Sequence, residues 1–386
     1  MNMIGNQKIS DNDVLSEITS ESKASDLLTL ICLHLDNIQV PYCVERNYQG
    51  YPKVLTGDID LVFGDVSIPS VSYEIIQIAL ANGWKCYQKH IWDKTAYIGL
   101  SSNCFPERFT LTIELFSGAR WHGISFLDEK SIVKKRLRHS ITWRPDPAHQ
   151  IIITVIHHLL YNGNVPTKYR QEILELIDPN YKNVEDSLTF YFGKKNSKKI
   201  ALSISKNRWD LLNNKFAFKL KLNLFFRSLI FRPFSSLLDI TKGLFSFYRK
   251  PFGIGIFIDI SNKQTKNNFM NSILFIMTKW HIFKPPIRTI ISKDLPKKIA
   301  KQKMQKAFKS GGVSISDFAY CSDFEQIFIL KPYIIRQREK LEIIHDSKII
   351  FSSSQLLSIK KANINKITLL IINQILEHRS ELIKEI

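Results

Sequence analysis

Thr56-Gly57-Asp58-Ile59-Asp60-Leu61-Val62-Phe63 is the stretch from which the fold is read. Its apolar residues mark a β-strand, and strand alternation sets Asp58 and Asp60 on one face while Ile59 points away. Carboxylates held side by side repel unless they are hydrated or share a divalent cation, and Mg²⁺, which prefers hard oxygen donors, is the usual guest. Further along, Phe109-Thr110-Leu111-Thr112-Ile113-Glu114-Leu115-Phe116 is a second alternating strand with Glu114 alone among apolar neighbours. Asp58, Asp60 and Glu114 are therefore the candidate catalytic residues and the candidate ligands of one or two Mg²⁺ ions. Acidic residues on adjacent strands clamp metals in this way for in-line attack on a phosphate.

Outward from that strand, the pattern predicts a helix over 24–37, a strand over 42–45 and a helix over 73–82. Strands follow over 84–90, 96–100 and 108–116, and together these make a small mixed sheet with helices against it. A short helix opens at Asp128-Glu129-Lys130-Ser131 and runs into Lys134-Lys135-Arg136-Leu137-Arg138. Pro145 and Pro147 then punctuate the chain, which places a boundary near 146. Residues 149–161, 168–177 and much of 206–230 carry apolar residues at helical spacing. His157 and His158 are adjacent and cannot share one helix face, so they read as core or surface histidines rather than as zinc ligands.

Three segments carry a family resemblance. They are Val40-Pro41-Tyr42-Cys43-Val44-Glu45-Arg46-Asn47-Tyr48-Gln49-Gly50-Tyr51-Pro52 with Gly57-Asp58-Ile59-Asp60-Leu61-Val62; 109–127 with Arg120-Trp121-His122-Gly123; and 149–170 with His157-His158-Leu159-Leu160 and Lys168-Tyr169-Arg170. They resemble bacterial nucleotidyltransferase-like proteins of the DNA polymerase beta-type nucleotidyltransferase superfamily, which tend to accompany surface-polysaccharide genes. The match covers roughly the first half of the chain. Where that superfamily usually has Gly-Gly or Gly-Ser, this chain reads Glu45-Arg46-Asn47-Tyr48. The resemblance implies that Arg46 and Asn47 bind nucleotide, Arg46 gripping phosphate as a planar cation where relatives use backbone amides. It also implies Lys168 and Arg170 beside the phosphates, a nucleoside triphosphate as substrate, and a sugar, lipid-linked glycan or polyol phosphate as acceptor.

With 386 residues, 44% of them hydrophobic and only 15 glycines, the chain has enough apolar residues for a sizeable core and enough length for two or three domains. Five scattered cysteines show neither a metal-binding pair nor a disulfide framework and read as thiols in a reducing cytosol. The first 27 residues are polar with five acids, unlike a secretion signal, so the expected location is cytoplasmic. Charge divides the chain, with 15 basic against 17 acidic residues over 1–150 and 39 against 18 over 151–386. Residues 191–310 alone carry 26 basic and 4 acidic residues, a belt that seeks phosphates on lipid, glycan or nucleic acid.

Between Lys215 and Lys250, aromatic and aliphatic residues interleave with cations too often for a bilayer span. Such a segment suits a peripheral position on an anionic membrane surface. From Phe252 onward, Gly255-Ile256-Phe257-Ile258-Asp259-Ile260, a loop and a helix to about Trp280 follow strand-loop-helix order. Lys263 and Thr265 stand near a P-loop's lysine and hydroxyl, but Phe257, Ile260 and Asn262 fill the glycine places. Cys321-Ser322-Asp323-Phe324-Glu325-Gln326-Ile327-Phe328-Ile329-Leu330 with Arg336-Gln337-Arg338-Glu339-Lys340 resembles the late strand and arginine-bearing lid of thymidylate-kinase-like proteins.

The expected fold class is α/β. An α+β nucleotidyltransferase-like core spans 1–146, a helical domain with a basic amphipathic linker 147–250, and a degenerate P-loop kinase-like domain 251–386. The expected function is Mg²⁺-dependent transfer of a nucleotidyl or phosphoryl group to a sugar or glycan acceptor. The alternatives are a non-catalytic adaptor of polysaccharide assembly at the membrane, and an RNA-binding nucleotidyltransferase. Net charge supports the last, but no nucleic-acid-binding motif does.

Overall fold

Strands β1 (Tyr42–Val44), β2 (Ile59–Phe63), β3 (Trp84–Ile91), β4 (Thr95–Ser102) and β5 (Thr110–Ser117) form a sheet in the order β1-β2-β5-β4-β3. The computed structural model describes residues 23–46, 48–52, 55, 58–102, 110–231, 233–234, 236–238, 240–241, 254–279, 288–291, 295–309, 313–317, 333–337, 341–346, 348–353 and 364–384. Within this mixed α/β fold only β2 and β5 of the first sheet run parallel. A parallel pair needs a crossover, here supplied by α2 (Ile68–Ala81) and the β3–β4 hairpin.

Alternation sorts the side chains of this sheet between two cores. Ile59, Leu61, Phe63, Ile113 and Leu115 join Leu28 and Ile31 of α1 (Lys23–Asn37) and Ile75 of α2. Val62 and Cys43 join the opposite core, built on helices α4 (Pro147–Asn162), α5 (Thr167–Phe192), α6 (Lys194–Ser205) and α7 (Asn214–Phe231). Asp60 has the parity of Val62, and Glu114 that of Phe116, so both stand on the helical side of the sheet.

Local chemistry sets the element ends. Ser67 caps α2 by accepting from the Ser70 amide at 3.4 Å, which starts the helix ahead of the expected residue 73. Helix α3 (Glu129–Lys134) stops short of Arg138, because the basic run beyond it turns into a hairpin of β8 (Leu137–His139) and β9 (Thr142–Arg144). Arg138 and the Trp143 indole both donate to Asp36 of α1, at 2.6 and 2.8 Å, and fasten that hairpin. A smaller hairpin, β6 (Ala119–Trp121) with β7 (Ile124–Leu127), precedes α3. Asp146 caps α4, accepting from the Ala148 amide at 3.0 Å, with Pro147 in the first turn. Gly163 ends α4 at φ 78°, where a Cβ would strike the Asn214 side chain, so only glycine fits. Helix α5 outruns the expected 168–177 and passes through Pro179, because Ile173, Ile177, Val184, Leu188 and Phe192 keep one buried face. The helix expected from 206 starts instead at Asn214, where Asn213 accepts from the Phe216 amide at 3.1 Å.

A second sheet has β10 (Ile254–Asp259), β11 (Arg288–Ile291), β12 (Val313–Asp317), β13 (Tyr333–Gln337), β14 (Leu341–His345) and β15 (Lys348–Ser353) in the order β11-β12-β10-β13-β14-β15. The first four of these are mutually parallel. After β10, Asn262 accepts from the Thr265 amide at 2.9 Å and caps the helix Lys263–Lys279. That amide is thereby spent on the cap and not offered to a phosphate. Arg336, expected in a lid, lies on β13 and pairs with Asp259 at 2.9 Å. The strand expected over 321–330 falls outside the described residues.

The two sheets meet at β3. A bulge between Cys86 and Gln88 turns Tyr87 into the core of the second sheet, with its ring packed so closely on Gly99 that a Cβ there would lie 2.7 Å away. From the helix Ile364–Lys384, Arg379 Nε donates to the Tyr87 carbonyl at 3.1 Å and Glu377 pairs with Lys85 at 2.5 Å.

Candidate functional site

The parallel register of β2 and β5 sets Asp60 directly opposite Glu114. Both are buried, at 7% and 8% exposure, although a carboxylate is stable in such a place only with compensation. Part of that compensation comes from the turn after β1. Glu45 extends the β1–β2 ladder by one step, its amide donating to the Asp60 carbonyl at 2.8 Å. Arg46 then reaches the Asp60 carboxylate at 2.8 Å and lies 3.4 Å from that of Glu45. Asp58 sits just ahead of β2.

Two carboxylates, Glu45 and Asp60, therefore share the Arg46 guanidinium. Burial pushes the Asp60 carboxyl well above its ordinary range; Arg46 opposes the shift, and the charges of Glu45, Glu114 and Asp58 reinforce it. Glu45 is raised for the same reasons, by burial against Arg46 and with repulsion from Glu114. For Arg46, burial disfavours the charge, yet Glu45 and Asp60 overcome it and hold the proton firmly. Tyr51, buried nearby, is raised by burial and by Asp60 and Asp58.

The helical layer brings donors to the same place. Asn162 donates to Nδ1 of His158 at 2.9 Å, which leaves the ring proton on Nε2. Burial, Arg46 and Lys168 lower the His158 pKa to about 4, so the ring is neutral at physiological pH. Nε2 of His158, Nε of Arg46 and the Tyr51 hydroxyl are buried, and none has a hydrogen-bond partner among the described residues. Tyr169 stacks on His158 with ring centroids 4.9 Å apart, and the ammonium of Lys168 lies 4.7 Å from the Tyr169 ring. Lys168 itself is exposed at the first turn of α5. A fastening network holds the loop after Arg46, in which the Tyr48 hydroxyl donates to Gln150 at 2.7 Å while Gln49 and Gln150 both donate to Glu172.

The sequence-predicted residues thus divide. Asp60, Glu114 and Arg46 converge, Asp58 joins them through its charge, and Lys168 faces the site through His158. Arg170 is committed elsewhere, donating twice to the Val165 carbonyl at 3.0 and 2.8 Å and lying over Trp209. Asn47 lies outside the described residues. Glu45, Tyr51 and His158 were not anticipated. Only Glu45 left a signal, since it continues the alternation of Cys43 onto the site face.

Among the described residues no three acidic, histidine or cysteine side chains gather closely enough to hold a metal ion. Asp58, Asp60 and Glu114 are thus not a preassembled cage, and Arg46 already occupies one side of Asp60. The donor chemistry nevertheless fits Mg²⁺ that arrives with a nucleotide. That ion commonly takes one or two carboxylates and completes its shell with phosphate oxygens and water.

No family model and no curated protein matches the chain. Among solved structures it is similar to JHP933 from Helicobacter pylori, with 11% identity, a TM-score of 0.29, and coverage of 57% of this chain and 96% of that one. It is also similar to a protein of the same organism provisionally described as a nucleotidyltransferase, with 12% identity, a TM-score of 0.28 and coverage of 57% and 95%. At these values neither neighbour decides the chemistry of Asp60 and Glu114.

Proposed function

We propose that the chain binds a magnesium nucleoside triphosphate over the β2–β5 face and transfers its nucleotidyl group to a hydroxyl of a sugar or glycan. The observation that carries this reading is the buried Asp60–Glu114 pair, set opposite one another by register, with the charges of Glu45 and Asp58 acting on Asp60. Asp60 and Glu114 would hold the cation, whose chemistry is to neutralise phosphate charge. Arg46, the Nε2 proton of His158 and Lys168 present donors to the phosphate oxygens, in place of a glycine-rich turn. The acceptor oxygen bonds to the α-phosphorus as the bond to the β-phosphate oxygen breaks, and pyrophosphate leaves with that electron pair. The acceptor's proton passes to solvent, because Asp60, once it holds the cation, is no longer free to take it. The sugar or glycan class rests on the sequence resemblance to proteins of surface-polysaccharide clusters.

The test is thermal stabilisation by each nucleoside triphosphate, with and without Mg²⁺, in the native chain and in Asp60→Asn with Glu114→Gln. Stabilisation that needs Mg²⁺ and is lost in the double variant is expected; equal stabilisation of both proteins refutes the site. A second reading, nucleotide binding without turnover, is favoured by one contact, the Arg46–Asp60 ion pair that competes for the metal-binding oxygen. Pyrophosphate release in the presence of sugar acceptors separates the two.

A further inference from the structure

Helix α7 carries apolar residues all round its circumference but buries only one side. Phe216, Ala217, Leu220 and Leu224 pack into the helical core. Phe218, Leu222, Phe226 and Ile230, spaced four apart, are 61%, 43%, 57% and 71% exposed. At 100° per residue this row lies roughly 200° round the helix from Phe216, Leu220 and Leu224, on the opposite face. A helix of this composition is normally covered on both sides. Phe234, Leu237 and Leu238, just beyond the helix, are also exposed and prolong the apolar surface.

The charges indicate what covers it. Lys215 and Lys219 are exposed at the start of the row, with no acidic partner among the described residues. They belong to a stretch, 191–310, with 26 basic and only 4 acidic residues. A second copy of the chain would bring the same cations against these, and like charges oppose such a contact. An anionic bilayer satisfies both features, taking rings and aliphatic chains at its headgroup boundary and cations at its phosphates. Among the described residues no helix is long and apolar enough to cross a membrane, so the contact is with the surface.

We propose that the outer face of α7 docks the chain on an anionic lipid bilayer. Phe218, Leu222, Phe226 and Ile230 enter the headgroup boundary while Lys215 and Lys219 face lipid phosphates. Sedimentation of the full chain with vesicles tests this, comparing phosphatidylcholine alone with phosphatidylcholine plus phosphatidylglycerol. The native chain should pellet with the anionic vesicles, leave the neutral ones in solution, and release as salt rises. Each surface cation is worth about fivefold in affinity, so Lys215→Glu with Lys219→Glu should weaken binding by roughly 25-fold or more. Phe226→Ser with Ile230→Ser should weaken it too while the chain stays folded, because more than half of each residue is exposed.

No binding by the native chain, or equal binding to neutral vesicles, overturns the proposal without needing any variant. Native-level binding by both variants also overturns it, as does a dimer in sedimentation velocity that Phe226→Ser dissolves.

Discussion

Asp60 gathers the tension of the site into one proton. Because its folded pKa lies above its unfolded value near 3.8, the folded chain binds the extra proton. The stability it confers is therefore greatest below that value and declines as pH rises through the folded pKa. Melting temperature should fall over this window in the absence of divalent cation, and Asp60→Asn should flatten the fall. A magnesium nucleotide should restore the loss most at the alkaline end, where it no longer competes with the proton. At His158, replacement by Phe removes the Nε2 donor; a hydrogen bond to a charged group is worth about 1.5–3 kcal/mol, so nucleotide affinity should drop roughly tenfold or more by calorimetry. The Asp60–Glu114 pair was legible in the sequence because alternation alone fixes the face of a strand. His158 was not, because its role depends on the Asn162 side chain fixing the tautomer and on α4 passing beside Arg46.

At the scale of elements, the sequence showed which segments are helices and strands more clearly than where they end. The helix 149–161 was legible within a turn because Asp146, Pro147 and Gly163 punctuate it. Gly163→Ala forces a Cβ into the Asn214 side chain at positive φ. The cost should exceed about 1 kcal/mol in urea unfolding, with Asn214→Ala relieving part of it. Pro179 reads as a helix breaker, yet α5 continues because its buried face gains more from the core than one lost hydrogen bond costs. The hairpin β8–β9 was hidden among cations, two of which, Arg136 and Arg138, lie over the Trp143 ring while Arg138 and Trp143 reach Asp36. In the second sheet, the missing glycines pointed to a loop unable to wrap phosphate, and the Asn262 cap shows what that turn does instead.

For the whole molecule, charge composition located the basic half but not the contact between the two sheets, since nothing in local sequence announces that Tyr87 leaves one core for another. Tyr87 is fully buried at that seam, so Tyr87→Ala should cost about 3–5 kcal/mol and lower the melting of both units together. Independent melting of the two would refute the shared core. The Lys85–Glu377 bridge and the Arg379 contact join positions 292 residues apart. Translation makes β3 long before the helix Ile364–Lys384 exists, so the nascent amino-terminal sheet must wait with Tyr87 wet and one edge strand unguarded. Shielding of that edge during the interval would thus favour the yield of folded protein.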